Sequence, residues 1–153
     1  MINYKEIDRI NFYDVCKLSE TLTNQQRKCV ADNDFSIAEA SLFPNNAYCR
    51  AIYYDDELIG FMMLFIPNQE SIKNGYDYFY LWRLMIANEH QNKGYGKIIL
   101  EDIVDLAKEY GFYEIFTGVE MADGNAIRFY KKFGYIETGE VEENEKKLIY
   151  RIL

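Results

Sequence analysis

Apolar residues recur along the chain in two rhythms, one helical and one alternating. The clearest helical run is YGKIILEDIVDLAKEYG, where Ile99, Ile103, Leu106, Ala107 and Tyr110 share a face and Gly111 supplies the stop. In NFYDVCKLSE, the spacing of Phe12, Val15, Cys16 and Leu18 suits a helix of about two to three turns. From Gln25 to Leu42 the positions Cys29, Ala31, Phe35, Ala38 and Leu42 predict one more helix, ending at Pro44. GNAIRFYKKFG predicts a short helix between two glycines.

Between these lie β-prone runs. INYKEI reads as a short first strand. YCRAIYYD and ELIGFMMLFI flank DDE as a hairpin. YDYFYLWRLMIA is a long strand, aromatic first and aliphatic later, and YEIFTGVE, YIETGEV and KKLIYRIL follow as further strands. The predicted order is β-α-α-β-β-β-α-β-α-β-β, with about four helices. A helix joins the fourth and fifth strands, so that pair is parallel, and hairpins make the rest antiparallel. The fold class is mixed α/β (α+β), with a mostly antiparallel twisted sheet. No linker, repeat or low-complexity tract interrupts residues 1–153, which read as a single domain.

Composition narrows the function classes. With 49% apolar residues the chain can bury a core. No apolar run approaches the roughly eighteen residues of a membrane span, and the N-terminus has no signal-peptide core. A soluble cytoplasmic protein without a membrane partner is expected. The three cysteines form no C-x-x-C pair and the chain has one histidine, so no metal site is expected. The cysteines read as reduced packing residues, and His90, in a polar loop, as solvated. A net charge of −8 argues against nucleic acid and favours cationic partners.

The stretch HQNKGYGKII, residues 90–99, carries candidate chemistry. A P-loop would need its first glycine at Gln91 and a hydroxyl at Ile98, so it fails twice. A dinucleotide fingerprint would need glycine at Ile99. What remains is Q-x-x-G-x-G, Gln91 to Gly96, between an aliphatic strand and a helix start. Small residues let backbone approach a ligand, and the N–H groups of Asn92 to Lys97 can converge on a pyrophosphate at the positive helix end. Lys93 and Lys97 add charge.

From YLWRLMIANEHQNKGYGKIILEDIVDLAKEYG through GNAIRFYKKFGYIETG the chain resembles the GNAT N-acetyltransferase family, strongly over about half its length. Three features carry the resemblance: the Q-x-x-G-x-G loop after an aliphatic strand, the strand YEIFTGVE after the helix, and the block N-A-x-x-F-Y-x-x-x-G-Y. It implies the GNAT acyl-CoA acyltransferase fold and acetyl-coenzyme A (acetyl-CoA) as cofactor. It places the pyrophosphate on Gln91, Asn92, Lys93, Gly94, Tyr95, Gly96 and Lys97. The pantetheine arm runs along Leu84, Met85 and Ile86, and Asn125, Tyr130 and Lys132 also contact the cofactor.

The reaction implied is attack of an amine on the acetyl thioester. The amine must lose a proton, since its free pKa is roughly 10. A backbone N–H near Met85 is the expected donor to the developing oxyanion. Tyr130 is the expected proton donor to the leaving thiolate. Glu120 is a candidate general base, with water-relayed deprotonation equally open. For the substrate, DNDFSIAEA supplies Asp34 and Glu39, and neighbouring strands supply Tyr53, Tyr80 and Trp82. Carboxylates among aromatics suit an extended cation. This part resembles the bacterial spermine/spermidine (diamine) acetyltransferase branch, so a polyamine is the expected substrate. Another amine, such as an aminoglycoside or a protein N-terminus, is the alternative within the enzyme class. A non-catalytic acetyl-CoA-binding module is the alternative outside it. A homodimer through KKLIYRIL is a further expectation.

Overall fold

The computed structural model describes residues 1–153. One seven-stranded sheet has the order β1-β2-β3-β4-β5-β7-β6. Its strands are β1 (Ile2–Glu6), β2 (Ala47–Tyr54), β3 (Glu57–Phe65), β4 (Tyr80–Ile86), β5 (Glu114–Glu120), β6 (Ile136–Glu142) and β7 (Glu145–Arg151). The helices are α1 (Phe12–Lys17), α2 (Asn24–Arg27), α3 (Asn33–Ala40), α4 (Gln69–Lys73), α5 (Tyr95–Glu109) and α6 (Ile127–Phe133). As expected, only β4 and β5 pair in parallel.

Two helices differ from the expectation. The run Gln25–Leu42 is not one helix but two. Thr23 and Gln26 cap α2 reciprocally, and the chain leaves helical geometry before restarting at Asn33. Asn33 fixes the restart: it is 1% exposed, its N–H donates to Ser19 Oγ, and its side chain donates to the Val15 carbonyl. The short α4 has no counterpart in the predicted order. An Asn68–Ser71 capping box starts it and leaves the fourth strand to begin at Tyr80 rather than Tyr76.

Both faces of the sheet are covered. On β3, Met62 and Leu64 join the core under α5, with Ile99, Ile103 and Leu148. Phe61 and Met63 join Val15, Ala51 and Met85 on the other face, under α1 and α3. Side chains alternate along a strand, so a strand buried on both faces must be apolar throughout. That is why ELIGFMMLFI reads as a continuous apolar run. β7 lies between β5 and β6 and buries Leu148 and Ile149 within its own sheet. Leu148 and Ile149 of KKLIYRIL are therefore used inside the chain, whereas Leu153 is exposed, and the strand at this edge of the sheet is the exposed, charged β6. No helix is long and apolar enough to cross a membrane.

Several tyrosines sit where an ionised ring would be costly. Burial pushes Tyr80 up to about 12 and holds Tyr4, Tyr130 and Tyr135 higher still, with the Asp102 carboxylate adding to the effect at Tyr4. Their folded pKa values lie above the unfolded value of about 10, so their contribution is complete below that pH and is lost as pH rises through the folded values. The urea midpoint should hold to about pH 9 and fall steeply above about pH 10, alongside tyrosinate absorbance. A midpoint unchanged at pH 11 would contradict this.

Candidate active site

β4 and β5 pair only at Tyr80 with Phe116 and Leu81 with Thr117, and then separate. A bulge starts the separation. Arg83 faces Met63 and Leu81 faces Leu64, so Trp82 is the extra residue. Its ring is held edge-on by Phe43 and Phe65, 5.6 and 6.3 Å away between centroids. Beyond the bulge a cleft of about 1400 Å³ opens between the strands.

The open edge of β4 has a definite parity. The Ala87 N–H donates to the Ile59 carbonyl on β3, and Met85 sits opposite Phe61 in the same ladder. Backbone groups alternate in direction along a strand, so Met85 also turns its N–H toward β3. The residues beside it, Leu84 and Ile86, turn theirs into the cleft. An oxyanion donor near Met85 is thus an N–H of a flanking residue. The Met85 side chain is buried against Phe61 and Val15.

The glycine loop follows directly. Asn92 and Gly94 take left-handed backbone geometry, with φ of 60° and 85°, and α5 starts at Tyr95. Gln91 anchors the loop: its Nε2 donates to the Ile86 carbonyl at 2.8 Å, and its amide exchanges hydrogen bonds with Gln26 on α2. A Cβ on Gly96 would lie 2.7 Å from the Phe129 ring, so a larger residue here has to displace that ring. Arg27, Lys28, Lys97, Arg128 and Lys132 also line the cleft, a concentration of positive charge in a chain of net charge −8.

Tyr130 projects from α6 to the point where the strands part. Its ring is buried against Phe129 and Tyr135, and its hydroxyl meets that of Thr117. Thr117 in turn donates to the Leu81 carbonyl at 2.8 Å, across the last paired rung. Burial raises the phenol's pKa and the Thr117 contact offsets part of this. Tyr130 therefore stays protonated at physiological pH and keeps a hydrogen to donate. Asn125 caps the turn before α6, accepting from Ile127 N–H and donating to the Ala122 carbonyl.

The cleft gathers Leu84, Met85, Ile86, Gln91, Asn92, Gly94, Gly96, Lys97, Asn125, Tyr130 and Lys132, with Trp82 and Glu120. It does not gather the rest. Lys93 lies outside it, and the Tyr95 ring is against Tyr54, 4.9 Å between centroids. Of the expected substrate carboxylates, Asp34 accepts from its neighbour's N–H, and Glu39 is neutralised by Arg83 at 3.0 Å. Tyr53 faces Lys5 on the far edge of the sheet, and Tyr80 reaches the cleft wall only through its hydroxyl, beside Gly118. His90 is not solvated: it is 8% exposed, with Nε2 3.3 Å from Glu57 and 3.6 Å from Glu89. The cysteines are free, as expected, and half-buried. Thr117, Gly118, Glu145 and residues 26–31 around α2 also line the cleft. Glu145 stands in VEENEKK, whose only sequence signal is a polar turn.

An anion-binding helix start, an open strand edge able to pair with an amide-bearing chain, and a buried phenol between them define an acyl-transfer site. Residues 12–135 match the acetyltransferase (GNAT) family. The chain is 34% identical over 149 residues to the spermine/spermidine N(1)-acetyltransferase of Bacillus subtilis (strain 168), covering 88% of this chain and 97% of that one. The PaiA N-acetyltransferase from Thermoplasma acidophilum, solved in complex with coenzyme A, shares the fold with a TM-score of 0.71 at 17% identity, over 99% of both chains. So does the spermidine N-acetyltransferase from Vibrio cholerae, solved with CoA and spermine, with a TM-score of 0.70 at 16% identity over 98% and 95% of the two chains. The chain belongs to the GNAT family and is an acetyl-CoA-dependent N-acetyltransferase.

Proposed function

We propose that the protein acetylates a primary amine of a polyamine or diamine, with amine and acetyl-CoA bound together in the β4–β5 cleft. The observation that carries this reading is the opposite character of the cleft's two sides. The glycine loop and the basic residues of α2, α5 and α6 suit the cofactor's phosphates. Glu120 and Glu145 line the wall formed by β5 and β7, and Glu142 and Glu143 continue the acidic run in the adjoining hairpin. Carboxylates clustered at one end of a site suit a substrate with several ammonium groups. The 34% identity with the Bacillus subtilis enzyme supports the same substrate class.

Acetyl-CoA supplies the activated acetyl thioester. The amides of Asn92 to Lys97, with Lys97 and Lys132, hold its pyrophosphate. The N–H groups of Leu84 and Ile86, which turn into the cleft, would pair with the pantetheine arm and supply a donor to the developing oxyanion. Tyr130 donates its hydroxyl hydrogen to the sulfur. As the C–N bond forms and the C–S bond breaks, a proton leaves the nitrogen and the sulfur gains one. Glu120, which lines the cleft, is one candidate to receive the first, but its Oε1 already accepts from Asn144 at 2.7 Å.

Thiol release from acetyl-CoA, measured with spermidine, spermine, a diamine, an aminoglycoside and a peptide with a free N-terminus, tests the reading. Spermidine or spermine should exceed the last two in kcat/KM by about tenfold or more. Release with the aminoglycoside or peptide and none with spermidine would overturn the polyamine assignment. Cofactor binding with no release from any amine would make the protein a binding module.

A further inference from the structure

We infer that Glu145, the first residue of β7, is the carboxylate that holds the reacting ammonium group and takes its proton, from the face of the sheet opposite Tyr130. The inference rests on the acetyltransferase reading above and names a residue within that site.

The two faces follow from strand alternation. Ile115, Val119 and Leu148 join the core under α5, so Thr117 and its partner Tyr130 lie on that face. Gly118 and Glu120 alternate to the other face, as does Glu145, which sits directly opposite Glu120. Tyr80, next to Leu81 of the α5-side core, points the same way. A donor to the sulfur and a base for the nitrogen thus stand on different faces of the sheet, which keeps the two proton transfers on separate groups.

Gly118 sharpens the placement. A Cβ there would lie 2.7 Å from Glu145 Oε1 and 2.8 Å from the Tyr80 hydroxyl. With no side chain at this position, the Glu145 carboxylate and the Tyr80 hydroxyl both close over the backbone of Gly118 at the cleft wall. Glu145 is also half-buried without an ion-pair partner, whereas Glu39 has Arg83 and Glu137 has Lys131 and Lys146. A substrate ammonium group supplies the missing cation.

The charged surroundings agree. Glu145 is faced by Glu120 from β5, by Tyr80 and Arg83 from β4, and by Glu142 and Glu143 from its own hairpin. Arg27 and Lys28 of α2 line the same cleft, Arg27 being held by Asp32, and Lys147 is engaged by Glu140 and Tyr78. Burial and then Glu120 raise the Glu145 pKa, and Arg83 opposes them. A raised carboxylate is a stronger base than an ordinary one. In the step, the ammonium proton passes to Glu145, the freed lone pair forms the C–N bond, and the C–S electrons leave on the sulfur that Tyr130 faces. Glu145 then releases its proton to water.

The raised pKa has a second consequence. A group with a raised folded pKa contributes stability below its unfolded value and loses it as pH rises, so the ionised carboxylate weakens the ligand-free protein at neutral pH. Glu145→Gln should therefore raise Tm at pH 7. With spermidine, the same variant should lose about 100-fold in kcat/KM while its KM for acetyl-CoA stays within about twofold. The acid limb of the kcat/KM profile should disappear, and Glu145→Asp should restore part of the rate. Gly118→Ala should raise KM for spermidine more than KM for acetyl-CoA, because its methyl group displaces the Glu145 carboxylate. Glu145→Gln with wild-type kcat/KM and pH profile overturns the inference and leaves the acetyltransferase reading standing. A wild-type protein inactive on every amine overturns both.

Discussion

Tyr130→Phe should lower kcat by about 1000-fold and leave KM for acetyl-CoA nearly unchanged. The substitution removes one oxygen and keeps the ring that contacts Phe129 and Tyr135, so the fold around α6 survives. The lost hydroxyl sits where β4 and β5 part, against Thr117. Thr117 keeps its bond to the Leu81 carbonyl, so little stability is lost with it. Because burial holds the phenol well above its usual value, Tyr130 remains a protonated donor throughout the working range. It should give no alkaline limb to the rate profile below about pH 10. As a donor to the sulfur it would act only as negative charge develops there, so kcat should fall and cofactor affinity should not. Steady-state kinetics with the best amine decide the matter: a kcat within about twofold of wild type would remove Tyr130 from the chemistry.

The parts of the site legible in the sequence are those specified locally. The glycine loop follows from two glycines, a preceding aliphatic strand and a periodic helix, and each sign lies within a few residues of the next. Tyr130 was findable because its block has a fixed internal spacing. The misplaced residues depend on partners far along the chain. Glu39 looked like a free carboxylate until Arg83, 44 residues away, neutralised it. His90 looked solvated because its neighbours in sequence are polar, yet Glu57 stands beside it across the fold. The Gln25–Leu42 run kept a roughly helical spacing, but Asn33 is claimed by Ser19 and Val15, which breaks the run. Glu145 gave no signal because its role depends on the register of β7 against β5 and on a glycine in the neighbouring strand.

Glycines that look equivalent in the sequence should respond differently to alanine, and the structure gives the order. A Cβ on Gly60 would lie 2.5 Å from the Met85 carbonyl oxygen and 3.4 Å from Ile86 Cα. Both are backbone atoms of β4, held by the β3 ladder, so relief requires moving the strand that forms the cleft edge. Gly60→Ala should cost about 1–3 kcal/mol of stability, as overpacking of a tight interior does. It should also raise KM for acetyl-CoA if, as proposed, the Leu84–Ile86 edge pairs with the cofactor. At Gly96 the obstruction is the Phe129 ring, which is 37% exposed and free to swing outward. Gly96→Ala should therefore cost less than about 1 kcal/mol, while the altered helix start still raises KM for acetyl-CoA. At Gly94 nothing blocks a Cβ, but φ is +85°, so alanine there strains the backbone instead. Urea midpoints and cofactor KM values for the Gly60 and Gly96 variants separate the two mechanisms. If Gly60→Ala unfolds at the wild-type midpoint, β4 is not fixed by its contact with β3, and the geometry of the open edge has another cause.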